Sequence, residues 1–417
     1  MTEKQLEFDI AIVGAGPASI AAACDASENG KTVAMLETTP WIGGQLWRAE
    51  SLNPETRQAK KWLTRLSKSS AEVFLNTTVI DAPAEKTLLA ETPDGNLRVS
   101  YDKLIVATGG REIFLPFPGW TLPNVYGAGA IQALAKVDWP VKGKRVAVAG
   151  SGPLLFAVAA NLRKLGAKIV LTAEQTSLLS FFEFGMKLPF LAPSKILQAI
   201  QYNSRLIGVA YKTSCWPVEA HGTDQVESVT FTNGKKKWNV DCDYLACAFG
   251  LTGNVELPRL LGCKTCPDGI VVNDFQQTSL DDVYCAGELT GIGGVDAALI
   301  EGRIAGLAAA GQIDKAKGLL KTRNRYIKFA NAMAKGFSLR SELLKLADDD
   351  TIVCRCEDVT AGRLREFDDF TSAKLQTRCS MGPCQGRICA CGLKNIFGWE
   401  NTSVRPPVYP AKMKNLE

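Results

Sequence analysis

Apolar positions along the chain fall into short continuous runs, most of them closed by glycine and separated by stretches with helical spacing. Asp9–Val13 predicts a strand that opens into Gly14-Ala-Gly-Pro-Ala-Ser19 and an Ala-rich helix to about Asn29. Thr32–Leu36 predicts the next strand, which ends at Glu37. The same order recurs: strand Arg145–Ala149, Gly150-Ser-Gly-Pro-Leu-Leu155, a helix through Leu165, strand Lys168–Thr172 and Glu174. Two βαβ units are therefore expected, the second inserted between parts of the first. Strand Lys103–Val106 runs into Ala107-Thr-Gly-Gly110, and strand Tyr244–Phe249 into Gly250-Leu-Thr-Gly-Asn254. Asn233-Gly234 sits between two strand-like runs and predicts a hairpin. Val283-Tyr-Cys-Ala-Gly-Glu288 leads through Gly291-Ile-Gly-Gly294 into a helix over Val295–Ala310, and Thr360–Phe370 predicts a helix capped by Thr360.

The glycine loops carry the first chemistry. Gly14 permits a tight turn, and Gly16 lets the backbone approach a pyrophosphate at the positive end of the following helix, where Pro17 and Ala18 lie. Ser19 stands in the third-glycine position and is still small. Glu37, 21 residues after Gly16, can accept from ribose hydroxyls. Strand, turn, helix and acid together predict dinucleotide binding. In the second loop, Gly150 and Gly152 are followed by bulky Leu155, which spaces helix from strand. Glu174 disfavours a 2′-phosphate, so NADP is not expected. Two outcomes stay open there: a site for NAD or another adenine nucleotide, and a vestigial fold.

Composition narrows the function. The 417 residues suffice for about three domains at roughly 150 residues each, and 46% are hydrophobic. The net charge of +5 is spread, and the basic runs are short, which excludes nucleic acid as the expected partner. No export signal and no run long enough to cross a membrane is read from the sequence. A cytoplasmic protein is expected, with any membrane association made through partners. The single histidine, His221, lies in a polar stretch and is expected at the surface, so histidine acid–base catalysis is excluded. Thirteen cysteines are present, and six crowd between Cys354 and Cys391, which points to metal rather than disulfides.

Cys354-Arg-Cys356 and Cys384-Gln-Gly-Arg-Ile-Cys389 are two close pairs separated by 27 residues. Four thiolates suit a [2Fe-2S] cluster or zinc, and the cluster is the expectation beside a dinucleotide-binding domain. Gly382 and Gly386 would let backbone N–H groups approach bridging sulfides. Cys379 and Cys391 rank below these four as ligands. Cys263-Lys-Thr-Cys266 has dithiol spacing without a helix start to activate it and reads as structural. Cys24, Cys215, Cys242, Cys247 and Cys285 read as buried apolar residues.

Several segments carry a resemblance. The return segment Val283–Glu288 with Gly291–Gly294 resembles that of the FAD domain in the glutathione-reductase-like superfamily, although Glu288 stands where aspartate is commoner. Neither Trp41-Ile-Gly-Gly-Gln-Leu-Trp47 nor Gly110–Gly150 holds the redox cysteines of disulfide reductases in that superfamily, so disulfide reduction is not expected. Ile352-Val-Cys-Arg-Cys-Glu-Asp-Val359, Thr377-Arg-Cys-Ser-Met-Gly-Pro-Cys-Gln-Gly386 and Arg405-Pro-Pro407 resemble the bacterioferritin-associated-ferredoxin-like domain of a flavoprotein family. That family includes the FAD-containing subunits of opine oxidases, hydrogen cyanide synthase and hydroxyproline dehydrogenases.

The resemblance implies an α/β, glutathione-reductase-like flavoprotein with two dinucleotide-binding domains and a small helical C-terminal [2Fe-2S] domain. The expected parts are an FAD domain over 1–118 and 268–315, an inserted second dinucleotide domain over 119–267, a helical linker over 316–350, and a cluster domain with tail over 351–417. FAD would be held by Gly14, Gly16, Pro17, Ala18, Glu37, Gly44, Gln45, Ala107, Thr108, Gly109, Gly287, Glu288 and Gly294, and the cluster by Cys354, Cys356, Cys384 and Cys389. It further implies an FAD-dependent oxidoreductase that passes electrons from a partner amino-acid-oxidase-like FAD subunit, and it allows a further small ferredoxin-like subunit. No catalytic residue is assigned. A self-sufficient NADH-dependent reductase and an iron-delivery module are the competing readings.

Overall fold

The computed structural model describes residues 4–48, 54, 56–136, 139–401 and 403–415. The chain divides into two compact units: Met1–Arg111 with Thr252–Ala330 and Ser403–Glu417, and Glu112–Leu251 with Asn331–Thr402.

The first unit is built on a seven-stranded sheet. Its order is Glu72–Phe74, Val33–Leu36, Lys4–Val13, Gly95–Val106, Thr87–Thr92, Thr78–Ala84, with Val283–Cys285 pairing alongside Gly95–Val106. The strands as far as Gly95–Val106 run parallel, and the last two return antiparallel. Strand Gly95–Val106 starts well before the expected Lys103. Its first half alternates, with Leu97, Val99 and Tyr101 buried and Asn96, Arg98 and Ser100 less covered. Its last three residues, Leu104–Val106, are buried throughout. A sheet covered on both faces needs continuous apolar residues, whereas an antiparallel flank needs only one apolar face. The continuous run is therefore legible in the sequence and the alternating half is not.

Helix Pro17–Ser27 is buried from Ala18 to Ala26 and has no polar face. Helix Gly294–Ala309 crosses it closely enough that a Cβ on Gly302 would fall 2.1 Å from the Ala18 carbonyl oxygen, and one on Gly306 would fall 2.4 Å from that of Ala22. Near the end of the first helix, Asp25 is buried and accepts from Arg65 at 2.5 Å and Arg303 at 2.8 Å. Two guanidiniums offset the desolvation of one carboxylate and tie three helices together. The C-terminal tail also belongs to this unit, not to the cysteine module as expected. Val408 N donates to Ile80 O at 2.7 Å, and Lys412 N to the Glu91 carboxylate at 2.8 Å. These are long-range backbone anchors that no local pattern announces.

The second unit holds a parallel five-stranded sheet, ordered Tyr211–Lys212, Lys168–Glu174, Arg145–Gly150, Tyr244–Ala248, Val125–Gly127. An antiparallel trio follows, Trp216–His221, Ser228–Thr232 and Lys237–Asp241, and the Asn233-Gly234 turn joins the last two as expected. His221 is half-buried, with Nε2 2.6 Å from Thr230 Oγ1. The cysteine-rich module completes this unit. Its Ile352–Cys354 strand pairs with Val359–Thr360, and the Ile352 carbonyl accepts from the Trp120 indole at 2.6 Å. The helix expected over Thr360–Phe370 forms only over its first turn, and a second helix begins at Phe370. Thr360 caps Ala361–Leu364 as anticipated, but Asp369 then caps a new helix, Phe370–Thr377, accepting from Thr371 N and Ser372 N. A second strong cap starts a separate helix. Within 316–350, only Leu320–Gly336 is a long helix, and Leu343 then packs into the core of the second unit.

Candidate functional site

The loop after strand Lys4–Val13 brings Gly14 against the C-terminal end of the neighbouring strand Gly95–Val106. Gly14 has φ +108°, and a Cβ there would lie 2.5 Å from the Ala107 carbonyl oxygen. Only glycine fits that approach. Gly16 lies at the start of helix Pro17–Ser27, with nothing within 4 Å of where its Cβ would be. Gly43 N donates to Ala15 O at 2.7 Å, bringing the short helix Gly44–Trp47 beside the loop, so that Gly44 abuts Gly16 Cα. Glu37 accepts from Ala15 N at 2.9 Å and Thr39 N at 2.8 Å, and it remains half-exposed.

The Ala107–Gly110 turn is held by Asn254. Thr108 Oγ1 donates to Asn254 O, Asn254 Nδ2 donates to Thr108 O, both at 2.9 Å, and Asn254 N donates to Gly109 O at 3.0 Å. Sequence reasoning misses Asn254 as a site residue. Its one signal is its place at the end of Gly250-Leu-Thr-Gly-Asn254. The return segment docks through Ala286 N, which donates to Val106 O at 3.2 Å. Gly287 N donates to buried Glu301 at 2.9 Å, and Thr290 Oγ1 donates to the same carboxylate oxygen at 2.8 Å. Glu288 accepts from Gly294 N at 3.2 Å through Oε1, while its Oε2 is buried without a partner among the described residues. Burial pushes both carboxyls up to about 7, with the neighbouring Glu301 charge adding to the shift at Glu288.

These residues fit an extended dinucleotide. Gly16, Gly109, Gly291 and Gly294 all have open space where a side chain would be. Glu288 offers a buried carboxylate oxygen that needs a hydroxyl partner. One cradle is thus assembled from segments about 270 residues apart.

The second glycine loop repeats the backbone. A Cβ on Gly150 would lie 2.0 Å from the Ala248 carbonyl oxygen. Glu174 accepts from Gly152 N at 2.7 Å and Thr176 N at 2.8 Å, but it is wholly buried. The Phe337 ring lies 3.7 Å from where a Cβ on Gly152 would be.

In the cysteine module, the sulfurs of Cys354, Cys379 and Cys389 lie within 4.8 Å of one another, and all three residues are buried. Cys356 is exposed and lies beside Cys384, which is half-buried. The structure thus brings Cys354 and Cys389 together with Cys379, which sequence spacing ranks lower. Gly382 lies against Cys356, where a Cβ would fall 2.3 Å from the Cys356 Cβ. Ser380 Oγ is 3.1 Å from Cys389 Sγ. Asp358, Arg378, Ser380 and Gln385 all hold φ between 51° and 68°, a left-handed conformation that costs free energy outside glycine. Strained loops thus present five cysteines to one small region, a donor set suited to a soft metal centre.

The remaining cysteines behave as the sequence indicates. Burial pushes the Cys24, Cys215 and Cys242 thiols up to about 12. Cys263 is buried and Cys266 exposed, both as free thiols. Among the described residues, no helix is long and apolar enough to cross a membrane.

Comparison with known proteins agrees with this geometry. The family model for pyridine nucleotide-disulphide oxidoreductases matches residues 8–313. An opine oxidase subunit of Rhizobium meliloti is 28% identical, covering 98% of this chain and 87% of its own length. Hydrogen cyanide synthase subunit HcnB of Pseudomonas protegens is 29% identical over 91% of this chain and 89% of its own. Among solved structures, L-proline dehydrogenase from P. horikoshii superposes with a TM-score of 0.71 at 20% identity, covering 100% of this chain and 81% of that one. Thioredoxin reductase of T. acidophilum superposes at 0.57 with 21% identity, over 73% of this chain and 98% of that one. With its open dinucleotide cradle and a family match across most of its length, the chain belongs to the pyridine nucleotide-disulphide oxidoreductases, as an FAD-dependent oxidoreductase related to the opine oxidase and hydrogen cyanide synthase subunits.

Proposed function

We propose that this chain is the FAD- and [2Fe-2S]-containing electron-transfer subunit of a heteromeric amino-acid or imino-acid dehydrogenase, of the opine or hydroxyproline type. The observation that carries the reading is that one chain holds both an open dinucleotide cradle and a cluster of buried cysteines. The single histidine is engaged with Thr230 and belongs to neither set of residues. Flavin supplies hydride and single-electron chemistry when bound, and the protein's part is binding, orientation and electrostatics. Gly14 and Gly16 would admit the pyrophosphate, Glu37 would accept from the adenosine ribose, and Glu288 would accept from the chain leading to the flavin ring. With its carboxyl pushed up to about 7, Glu288 can also hold a proton there near neutral pH. Cys354, Cys356, Cys384 and Cys389 would hold the cluster, with Cys379 packed against two of them.

Substrate oxidation would occur in a partner amino-acid-oxidase-like FAD subunit, and a small ferredoxin-like subunit would be a further component. The opine oxidase and HcnB relatives are both named as subunits, which supports a partner. The protein would act in the cytoplasm, with any membrane attachment made through the complex.

The test is to purify the chain alone and with its co-purifying subunits, measure flavin, iron and acid-labile sulfide, and screen amino acids anaerobically for chromophore bleaching. The expected result is a yellow-brown chain that bleaches with substrate only in the complex. Equal amine oxidation by the isolated chain, or material lacking iron and labile sulfide, overturns the reading.

A further inference from the structure

A nucleotide held by a βαβ unit needs three surfaces: the face of the second glycine, the polar groups of the loop, and the acid closing the second strand. At Gly150–Gly152 each is already in use. The Phe337 ring covers Gly152, with Cγ 3.7 Å from where a side chain would begin. That ring is seated edge-on to Phe184 at 5.0 Å and Phe181 at 6.2 Å between centroids. Ser151 Oγ, which is buried, donates to the Phe337 carbonyl at 2.9 Å.

Gln175 forms the other half of the seat. Its Nε2 donates to Ser151 Oγ at 2.8 Å and to the Ser338 carbonyl at 3.0 Å. Its Oε1 accepts from Arg340 N at 3.1 Å, and its own carbonyl accepts from Arg340 Nε at 2.7 Å. The Arg340 guanidinium lies over the Trp216 ring at 4.9 Å. Glu174 accepts from Gly152 N and Thr176 N as Glu37 accepts from Ala15 N and Thr39 N, but Glu174 is fully buried where Glu37 is half-exposed. An entering pyrophosphate would have to expel an aromatic ring, and an entering ribose would meet no exposed carboxylate.

We infer that the second glycine loop is a socket for the chain's own Phe337–Arg340 segment rather than a nucleotide site. The segment leads directly into the cysteine module, which belongs to the same compact unit. The fold that would elsewhere receive a nicotinamide dinucleotide serves here to anchor the cysteine module. This goes beyond the electron-transfer reading and fails separately from it. NADH binding at Gly150–Gly152 sinks the socket and leaves that reading standing, whereas amine oxidation by the isolated chain does the reverse.

The experiment is hydrogen–deuterium exchange on the full flavin-loaded chain, with millimolar NADH and then ADP as probes, followed by anaerobic spectra with NADH. In the wild-type chain the Phe337 and Arg340 amides should exchange slowly, neither probe should alter exchange at 150–152 or 337–340, and NADH should leave the flavin oxidised. Phe337→Ala should raise exchange across 337–340 by about tenfold or more, since that corresponds to a small loss of local opening free energy. Should that variant not fold, Arg340→Ala removes the side-chain contacts to Gln175 O, Ser214, Glu342 and the Trp216 ring while keeping the backbone bond to Gln175 Oε1, and should raise exchange in the same window. Fast exchange at Arg340 in the wild type overturns the inference. So does nucleotide-induced protection of 150–152 with release of 337–340, which would make the segment a displaceable lid.

Discussion

The two glycine loops of this chain have nearly the same backbone and opposite surroundings. At both, the first glycine presses on a carbonyl oxygen of the neighbouring strand, that of Ala107 or Ala248. At both, an acid at the end of the second strand accepts a backbone N–H of the loop. Around Gly16, however, the space is open and Glu37 is half-exposed, while Gly152 lies under Phe337 and Glu174 is wholly buried. The lesson is that a Gly-x-Gly motif specifies a turn and a helix start. Whether a ligand enters is decided by what the rest of the chain places on the second glycine.

Parallel substitutions break this comparison most directly. Gly16→Val fills the open cradle, and flavin per chain should fall about tenfold or more, with thermal unfolding of the flavin-free protein nearly unchanged. Gly152→Val should leave flavin content as in the wild type and lower stability by about 1–3 kcal/mol, because φ there is +91°. Absorbance spectra and calorimetry check both. Flavin loss from Gly152→Val would mean that the two loops had been assigned to the wrong roles.

Cys389→Ser and Cys354→Ser sharpen the contrast between units. Each should abolish most bound iron and labile sulfide while retaining flavin, read by metal analysis and electron paramagnetic resonance of the reduced chain. Cys379→Ser separates a ligand from a neighbour: as a neighbour it leaves iron stoichiometry unchanged and shifts the signal only slightly.

A pH effect of intermediate size belongs to the first unit. Burial raises the Glu301 carboxyl from 4.5 to about 7. A carboxyl raised on folding contributes stability that is complete below its unfolded value and lost as pH rises through its folded value. The flavin-free chain should therefore lose stability between about pH 4.5 and pH 7. Glu301→Gln should flatten that slope by on the order of 2 kcal/mol, measured as melting temperature against pH.

The smallest effect is expected in the second loop. Glu174→Gln keeps one carbonyl acceptor for two backbone donors and should cost about 1–2 kcal/mol in denaturant unfolding, with flavin and iron content unaffected.

Much of the site is readable from residue order because its determinants are local. A glycine that must approach a carbonyl, a proline at the first helical position and an acid ending a strand are all set by covalent neighbours. Asn254 is not readable, since its work is to satisfy the Thr108 and Gly109 carbonyls from about 145 residues away. The closeness of Cys379 to Cys354 and Cys389 is unreadable for a similar reason. Spacing favours the tight Cys-x-Cys and Cys-x4-Cys pairs, whereas left-handed residues at 378 and 380 turn the Cys379 sulfur toward Cys354 and Cys389.

Residue order alone determined that this chain has two βαβ units, an interrupted dinucleotide-binding domain and a cysteine module, because periodicity and turn chemistry act over a few residues. The tertiary structure decided which loop stays open, which cysteines meet and where the tail returns. Those outcomes depend on which distant side chain covers a given backbone atom, and nothing in a local pattern encodes that.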